Sequence, residues 1–194
     1  MNEYEISLKP LDRFLSIGEK ETINGSRLIG NPDKNKPFFW LIKIYAKLHS
    51  DEILNLVDKI NIPDVYRNFL TMCCNGLDLF LGTLSLFGYR ENMNRNPEDI
   101  IQQPFSILTV NLKERPKNSK EEYFFFGSYN WDGSYVYINK NDNCVYLCQR
   151  NDATPTYKWD SFSIFLTTEI NRICSLMKDD GSELKPDNST LPII

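Results

Sequence analysis

The sequence predicts a single α+β domain, and three observations lead to this fold class. The chain has 194 residues, a length that fits one domain and can bury a substantial core. Residues 50–76 carry apolar side chains at helical spacing, whereas residues 123–150 form apolar segments separated by turn residues, as strands do. Aromatic residues make up 13% of the chain, and this enrichment favours substantial β-structure.

The N-terminal part, residues 1–49, is predicted to be a loop-rich extension that packs on the domain. Three glycines and three prolines lie among polar residues before position 38, and one short helix is expected at residues 11–16. Two apolar segments, residues 38–45 and residues 105–112, fit either a helix or a strand. Periodicity alone does not separate the two structures in segments this short.

Two helices are predicted in the region that follows the extension. Ser50 is a good N-cap, and the two carboxylates directly after it favour the positive end of the helix dipole. Pro63 suits the first position of a second helix, which would bury Tyr66 and Phe69. Asn75-Gly76 supplies the left-handed residue that is expected to end this second helix.

Strands are predicted between Gly76 and residue 150. Apolar side chains first recur with period two, which predicts a pair of strands with a turn near Gly82-Thr83. Asp132-Gly133 is a strong hairpin turn, because both central residues of such a turn need positive φ. Its two strands are predicted at residues 123–129 and 134–139, and a further strand is predicted at residues 144–150.

A final helix is predicted to begin at Asp160 or Ser161, where apolar residues return to helical spacing, and to end at Gly181. Residues 50–178 are therefore expected to form the domain. Residues 179–194 are polar and contain two prolines, so they are expected to form a loose C-terminal tail.

Composition and charge argue against several classes of partner. The net charge is −4, whereas a nucleic-acid surface needs clustered lysine and arginine. No stretch approaches the roughly 18 apolar residues of a membrane span. The acidic start is not followed by the apolar run of a signal peptide. We therefore expect a cytoplasmic protein that binds neither nucleic acid nor membrane.

The sequence offers no recognisable catalytic or metal-binding constellation. His49 is the only histidine, and it is expected at the surface near a helix cap. Cys144 and Cys148 would lie about 13 Å apart along one strand, which is too far for one metal ion to bind both. The five cysteines are expected to be free thiols. We therefore expect no catalytic residue, no metal and no cofactor.

The tip of the Asp132-Gly133 hairpin is the candidate site for binding a protein. Tyr129, Trp131 and Asp132 surround this turn, where side chains are expected to be exposed. Tryptophan and tyrosine are strongly enriched among binding hot spots. The alternative is that Trp131 folds back onto the sheet and covers the core.

Several short motifs occur along the chain in a characteristic order and spacing. They are Ile62-Pro63, Tyr66, Phe69-Leu70, Asn75-Gly76, Phe126-Gly127, Asp132-Gly133-Ser134-Tyr135, Ser161-Phe162 and Phe165-Leu166. In this order and spacing they resemble the SUKH superfamily of fungal cell-wall regulators and bacterial toxin-immunity proteins, and the resemblance covers about residues 50–177. The chain departs from the family pattern at Leu77, where a second glycine is usual.

This resemblance implies a twisted, mainly antiparallel sheet packed with helices from both ends of the chain. It also implies a non-catalytic protein-binding module, most often an immunity protein that neutralises a toxin domain of the nuclease or deaminase type. One alternative is a regulatory interaction module of the same fold without a toxin, and another is an enzyme of an unfamiliar kind. The resemblance carries over no binding residues, and it leaves the oligomeric state open.

Overall fold

A computed structural model describes residues 2–31, 39–96 and 100–192. Within these ranges, nine strands form one sheet in which each strand pairs antiparallel with the next along the chain. The strands are β1 (Glu19–Glu21), β2 (Arg27–Asn31), β3 (Phe39–Ile44), β4 (Leu77–Leu79), β5 (Leu84–Leu86), β6 (Tyr123–Ser128), β7 (Tyr135–Asn139), β8 (Val145–Gln149) and β9 (Asp152–Trp159). The helices are α1 (Glu3–Leu8), α2 (Ser50–Val57), α3 (Asp64–Met72) and α4 (Phe162–Leu176), with a 3₁₀ helix at Lys9–Ile17 and a π-helical turn at Thr109–Lys113.

The predicted α+β fold, with helices from both ends of the chain against one antiparallel sheet, is confirmed. The hydroxyl groups of Ser7 in α1 and Thr167 in α4 lie 2.8 Å apart. The core sits between β6 and the helices α3 and α4. There the ring of Phe162 lies 5.3 Å from the ring of Tyr66 and 5.4 Å from that of Phe126, measured between centroids.

The described N-terminal residues contain more regular structure than the loop-rich extension that the sequence predicted. They form α1, the 3₁₀ helix and strands β1–β3. β1 is an exposed Glu-Lys-Glu segment, and it lacks the apolar alternation by which a strand is recognised. Arg13 holds this region to the end of α4, since it donates to Asp179 at 2.7 Å and to the Met177 carbonyl at 2.8 Å. The division into extension, domain and tail stays a prediction.

The two ambiguous segments have different structures. Residues 39–44 of the first segment form β3, and residue 38 lies outside the described residues. The second segment is helical in part and leads into the turn at Thr109–Lys113. The Asn111 amide donates to the Phe125 carbonyl at 2.7 Å and accepts from the Phe125 N–H at 3.0 Å. This pair of bonds holds the helical turn against β6.

The two helices in residues 50–76 each begin one residue away from the predicted position, α2 one residue earlier and α3 one residue later. α2 begins at Ser50 and His49 is its N-cap, whose backbone N–H donates to the Glu52 carboxylate at 2.8 Å. α3 begins one residue after Pro63, which occupies the N-cap position.

The last helix begins at Phe162, one residue after the later of its two predicted starts, and Ser161 is its N-cap. It ends at Leu176 and not at Gly181, because a turn intervenes in which the Lys178 N–H donates to the Ser182 carbonyl at 2.8 Å. Gly181 lies inside that turn with φ +78°.

Asn75-Gly76 connects the end of α3 to the segment after β5. The Asn75 side chain donates to the Tyr89 carbonyl at 2.8 Å and accepts from the Tyr89 N–H at 2.7 Å. Gly76 has φ +84°, and a Cβ atom there would lie 2.4 Å from the carbonyl oxygen of Leu86. The pair therefore allows the close approach of two backbone segments. It does not end the helix as predicted, because α3 already ends at Met72 with Cys73 as its C-cap.

β1 and β9 are the outer strands of the described sheet. β9 contains Pro155, which has no N–H to donate, and its register with β8 shifts at two places. β1 is charged throughout. Both outer strands are therefore poor templates for pairing with another strand, β1 because of its charges and β9 because of its proline and its irregular register.

Candidate functional site

The hairpin tip, residues 129–134, is a rigid turn between β6 and β7. The carboxylate of Asp132 accepts hydrogen bonds from the backbone N–H and the hydroxyl of Ser134, both at 2.8 Å. The Tyr129 N–H donates to the Ser134 carbonyl at 2.9 Å, and the Gly133 N–H donates to the Tyr129 carbonyl at 3.1 Å. Gly133 has φ +77°, as expected, but Asp132 does not have a positive φ. The turn is therefore not the two-residue type that the sequence predicted, because β6 ends at Ser128 and β7 begins only at Tyr135.

Trp131 and Asp132 are exposed at this tip. The Trp131 side chain has 46% of its surface accessible to solvent, so it does not fold back into the core. Asp132 is also exposed, although its carboxylate stabilises the turn. Both side chains are thus placed where a protein partner can reach them, and their role in binding stays a prediction.

Tyr129 differs from the expectation that it is exposed. Its side chain is completely buried, and its hydroxyl donates to the Glu169 carboxylate in α4 at 2.6 Å. Burial, reinforced by the negative charge of Glu169, raises the pKa of Tyr129 well above its ordinary value. A position next to the turn made Tyr129 appear accessible, but the strand turns this side chain toward α4, so Tyr129 supports the tip from beneath.

A second turn lies beside the hairpin tip. The sequence predicted this turn near Gly82-Thr83, but it did not indicate that the turn lies next to residues 129–134. The turn joins β4 to β5 and contains Leu81, whose side chain is 48% exposed. The Asn130 N–H donates to the Gly82 carbonyl at 3.0 Å, and the Asn130 side-chain amide donates to the Leu81 carbonyl at 3.2 Å. We use the term tip surface for Leu81, Asn130, Trp131 and Asp132.

Leu81 has an unusual backbone conformation for a leucine. Its φ is +58°, and its neighbour Phe80 has φ +46°, although left-handed angles cost roughly 1–2 kcal/mol for residues with a Cβ atom. Phe80 is buried against Phe14, with ring centroids 4.9 Å apart, whereas Leu81 is exposed. The available sequence signal was an apolar residue directly before the turn glycine, and we interpreted it as the continuation of a strand.

The histidine and the cysteines, which are the candidates for catalysis or metal binding, do not form a common site. His49 is exposed at the N-cap of α2. All five cysteines are free and buried, and burial raises the pKa of the Cys148 thiol to about 12 and that of Cys174 to about 11, which disfavours the reactive thiolate. Over residues 2–31, 39–96 and 100–192, no group of three His, Cys, Asp or Glu side chains is placed to hold a metal ion.

Comparison with protein families gives one match over most of this fold. The sequence profile of the SMI1/KNR4 family (SUKH-1) matches residues 47–168, which is more than half of the chain. The chain belongs to this family. Membership confirms the resemblance to the SUKH superfamily, and the match includes both turns of the tip surface. A search of curated proteins finds no match to this SUKH-1 chain. No helix in the described part of the protein is long and apolar enough to cross a membrane.

Proposed function

We propose that this SUKH-1 protein is an immunity protein, a non-catalytic module that binds a toxin domain of the nuclease or deaminase type in the cytoplasm and blocks it. The proposed contact region is the tip surface. The observation that carries the proposal is the exposure of Trp131 and Leu81 on two adjacent turns that are joined by the hydrogen bonds of Asn130.

This arrangement has the properties of a binding hot spot. A tryptophan side chain supplies a large contact area with only two rotatable bonds, so little conformational entropy is lost when it becomes immobile. The backbone around Trp131 is already fixed by the Asp132 and Asn130 hydrogen bonds, and a preformed turn lowers the cost of association further. The net charge of −4 is compatible with a basic partner.

The direct test is co-expression with the toxin domain encoded by the adjacent upstream gene. We expect a stable complex and protection of cells that produce the toxin. Trp131→Ala should weaken the complex by about 30-fold or more, the effect of losing a hot-spot side chain. Tyr157→Ala is the matched control, since Tyr157 is an exposed aromatic residue on β9, outside the tip surface.

Two results would count against this proposal. Failure of the wild-type protein to bind the toxin domain or to protect cells would overturn the proposed function. Unchanged affinity of Trp131→Ala would exclude the tip surface as the contact region. A gene located away from any toxin-like gene would favour the alternative, a regulatory interaction module of the same fold.

A further inference from the structure

A cleft with a volume of about 370 Å³ lies beside the hairpin tip. It is formed where β6 and β8 end, where β7 begins, and where the segment around Thr109–Lys113 crosses the sheet. The residues that line the cleft include Phe87, Arg90, Phe105, Ser128, Tyr135 and Arg150. A Cβ atom on Gly133 would lie 2.9 Å from Cδ of Arg150, so Arg150 packs against the tip turn itself. The cleft and the tip surface are therefore continuous.

The apolar walls of this cleft are held in place by the fold. The ring of Phe87 lies 6.3 Å from the ring of Phe105 and 6.3 Å from that of Tyr135, measured between centroids. The Gly88 N–H donates to the Phe105 carbonyl at 2.9 Å, and the Ile107 N–H donates to the Gly88 carbonyl at 2.9 Å. These bonds fix the crossing segment to the sheet, so the cleft exists before any ligand binds.

The arginines of the cleft differ in their side-chain contacts from five of the six other arginines, the exception being Arg95. Arg90 and Arg150 have no ion pair and no hydrogen bond within the part of the chain that the structure describes. In contrast, five other arginines each donate to a carboxylate or a carbonyl oxygen, namely Arg13, Arg27, Arg67, Arg115 and Arg172. Glu114 also lines the cleft, so the three charged residues that line it carry a net charge of about +1. The cleft is thus locally positive in a chain whose net charge is −4.

We propose that this cleft binds a carboxylate side chain on the protein partner, presented by a loop that also contacts the tip surface. This inference rests on the proposed function. A guanidinium group binds a carboxylate through two parallel hydrogen bonds, and the aromatic walls strengthen that pairing by excluding water. The hydroxyl groups of Ser128 and Tyr135 line the same cleft without a hydrogen bond in the described structure, so they are available as further donors.

A carboxylate on a protein fits this cleft better than a small molecule does. Phe105 is 57% exposed at the rim, whereas a pocket for a small ligand usually encloses about 70–90% of the ligand's surface. Phe105 lines the cleft together with Arg150, and Trp131 is exposed on the turn against which Arg150 packs, so apolar contact area continues beyond the cleft. A carboxylate residue on a loop of the partner, flanked by apolar side chains, is complementary to this arrangement.

The test measures the affinity of the full chain for the purified toxin domain of the adjacent upstream gene by calorimetry. Arg90→Gln and Arg150→Gln should each weaken binding by about 30-fold, since each removes one side of a desolvated charge pair. The matched control is Arg95→Gln, because Arg95 is exposed and does not line the cleft. Unfolding curves in urea should show that all three variants keep the stability of the wild-type protein.

The possible outcomes separate this inference from the proposed function. Tight binding by both glutamine variants, with binding lost in Trp131→Ala, would overturn the cleft proposal alone. No binding by the wild-type protein would overturn both proposals. Inorganic phosphate serves as a second probe: if the glutamine variants lose phosphate binding but keep toxin binding, the cleft is a small-anion site and the proposal is wrong.

Discussion

The phenolic hydroxyl of Tyr129 donates a 2.6 Å hydrogen bond to Oε2 of Glu169 and thereby connects the hairpin tip to α4. Arg172 pairs with the same carboxylate at 2.6 Å, and its Nη1 donates to the carbonyl of Leu191 at 3.4 Å. One largely buried network therefore joins the tip, the last helix and the C-terminal segment. Removal of any member leaves a buried charge with fewer partners.

Tyr129→Phe should lower the free energy of unfolding by about 1.5–3 kcal/mol, because it removes a hydrogen bond to a buried charged group. Toxin binding by the folded protein should be unchanged, since the Tyr129 side chain is not accessible. Urea unfolding and calorimetry measure the two effects separately. The control Tyr157→Phe alters an exposed tyrosine and should change stability by less than about 0.5 kcal/mol. Loss of binding without loss of stability would contradict a supporting role for Tyr129.

Leu81→Asn should stabilise the protein and weaken binding at the same time. Asparagine tolerates the left-handed angle of this turn better than leucine does, so we expect a gain of about 0.5–1 kcal/mol in thermal unfolding experiments. Loss of the exposed leucine from the tip surface should lower toxin affinity. Leu184→Asn is the control, since Leu184 is exposed but does not have a positive φ. Equal effects of both variants on stability would mean that φ is not the cause.

A comparison of Gly76→Ala with Gly25→Ala distinguishes the loss of stability caused by a steric clash from the loss caused by backbone strain. The two glycines have nearly the same φ, +84° and +86°. A Cβ atom would lie 2.4 Å from the Leu86 carbonyl oxygen in the first case and 3.8 Å from the Ala46 Cβ atom in the second. We expect losses of about 3 kcal/mol or more for Gly76→Ala and about 1 kcal/mol for Gly25→Ala in urea unfolding. Similar losses would show that the clash is relieved by movement of β5.

Alkaline pH should destabilise the protein through Tyr66. Its buried hydroxyl donates to the carbonyl groups of Phe87 and Phe126, and burial raises its pKa well above 10. Above pH 10 the unfolded chain therefore loses this proton while the native state keeps it, so stability falls as pH rises. Tyr66→Phe should reduce that slope by up to about 1.4 kcal/mol per pH unit, measured by urea unfolding between pH 9 and 11. Identical slopes would contradict the burial of this hydroxyl.

The features that the sequence predicted well are those that depend on local geometry. A hairpin turn lies at Asp132-Gly133, as expected, because glycine adopts the positive φ found at Gly133 without steric cost. Ser161 caps α4 because its hydroxyl reaches the N–H of Ile164 within the first turn. The presence of the helices and the position of the hairpin could therefore be predicted from residues that lie close together in the chain.

The features that were missed depend on contacts between distant segments. Tyr129 is buried because Glu169 lies opposite it, forty positions later in the chain. Leu81 is exposed because the hydrogen bonds of Asn130 hold its turn beside the hairpin. Arg90 and Arg150 share a cleft because three strands and a crossing segment meet there. No spacing within one segment encodes any of these relationships.

The charged β1 and the proline-containing β9 have a consequence for the unbound protein. Fibrils grow when exposed strand edges pair with one another, and both outer strands of this sheet resist such pairing. We therefore expect separate molecules to persist without their partner at high concentration. If the protein has the proposed function, this property would let a cell keep a reserve of unbound protein before a toxin arrives.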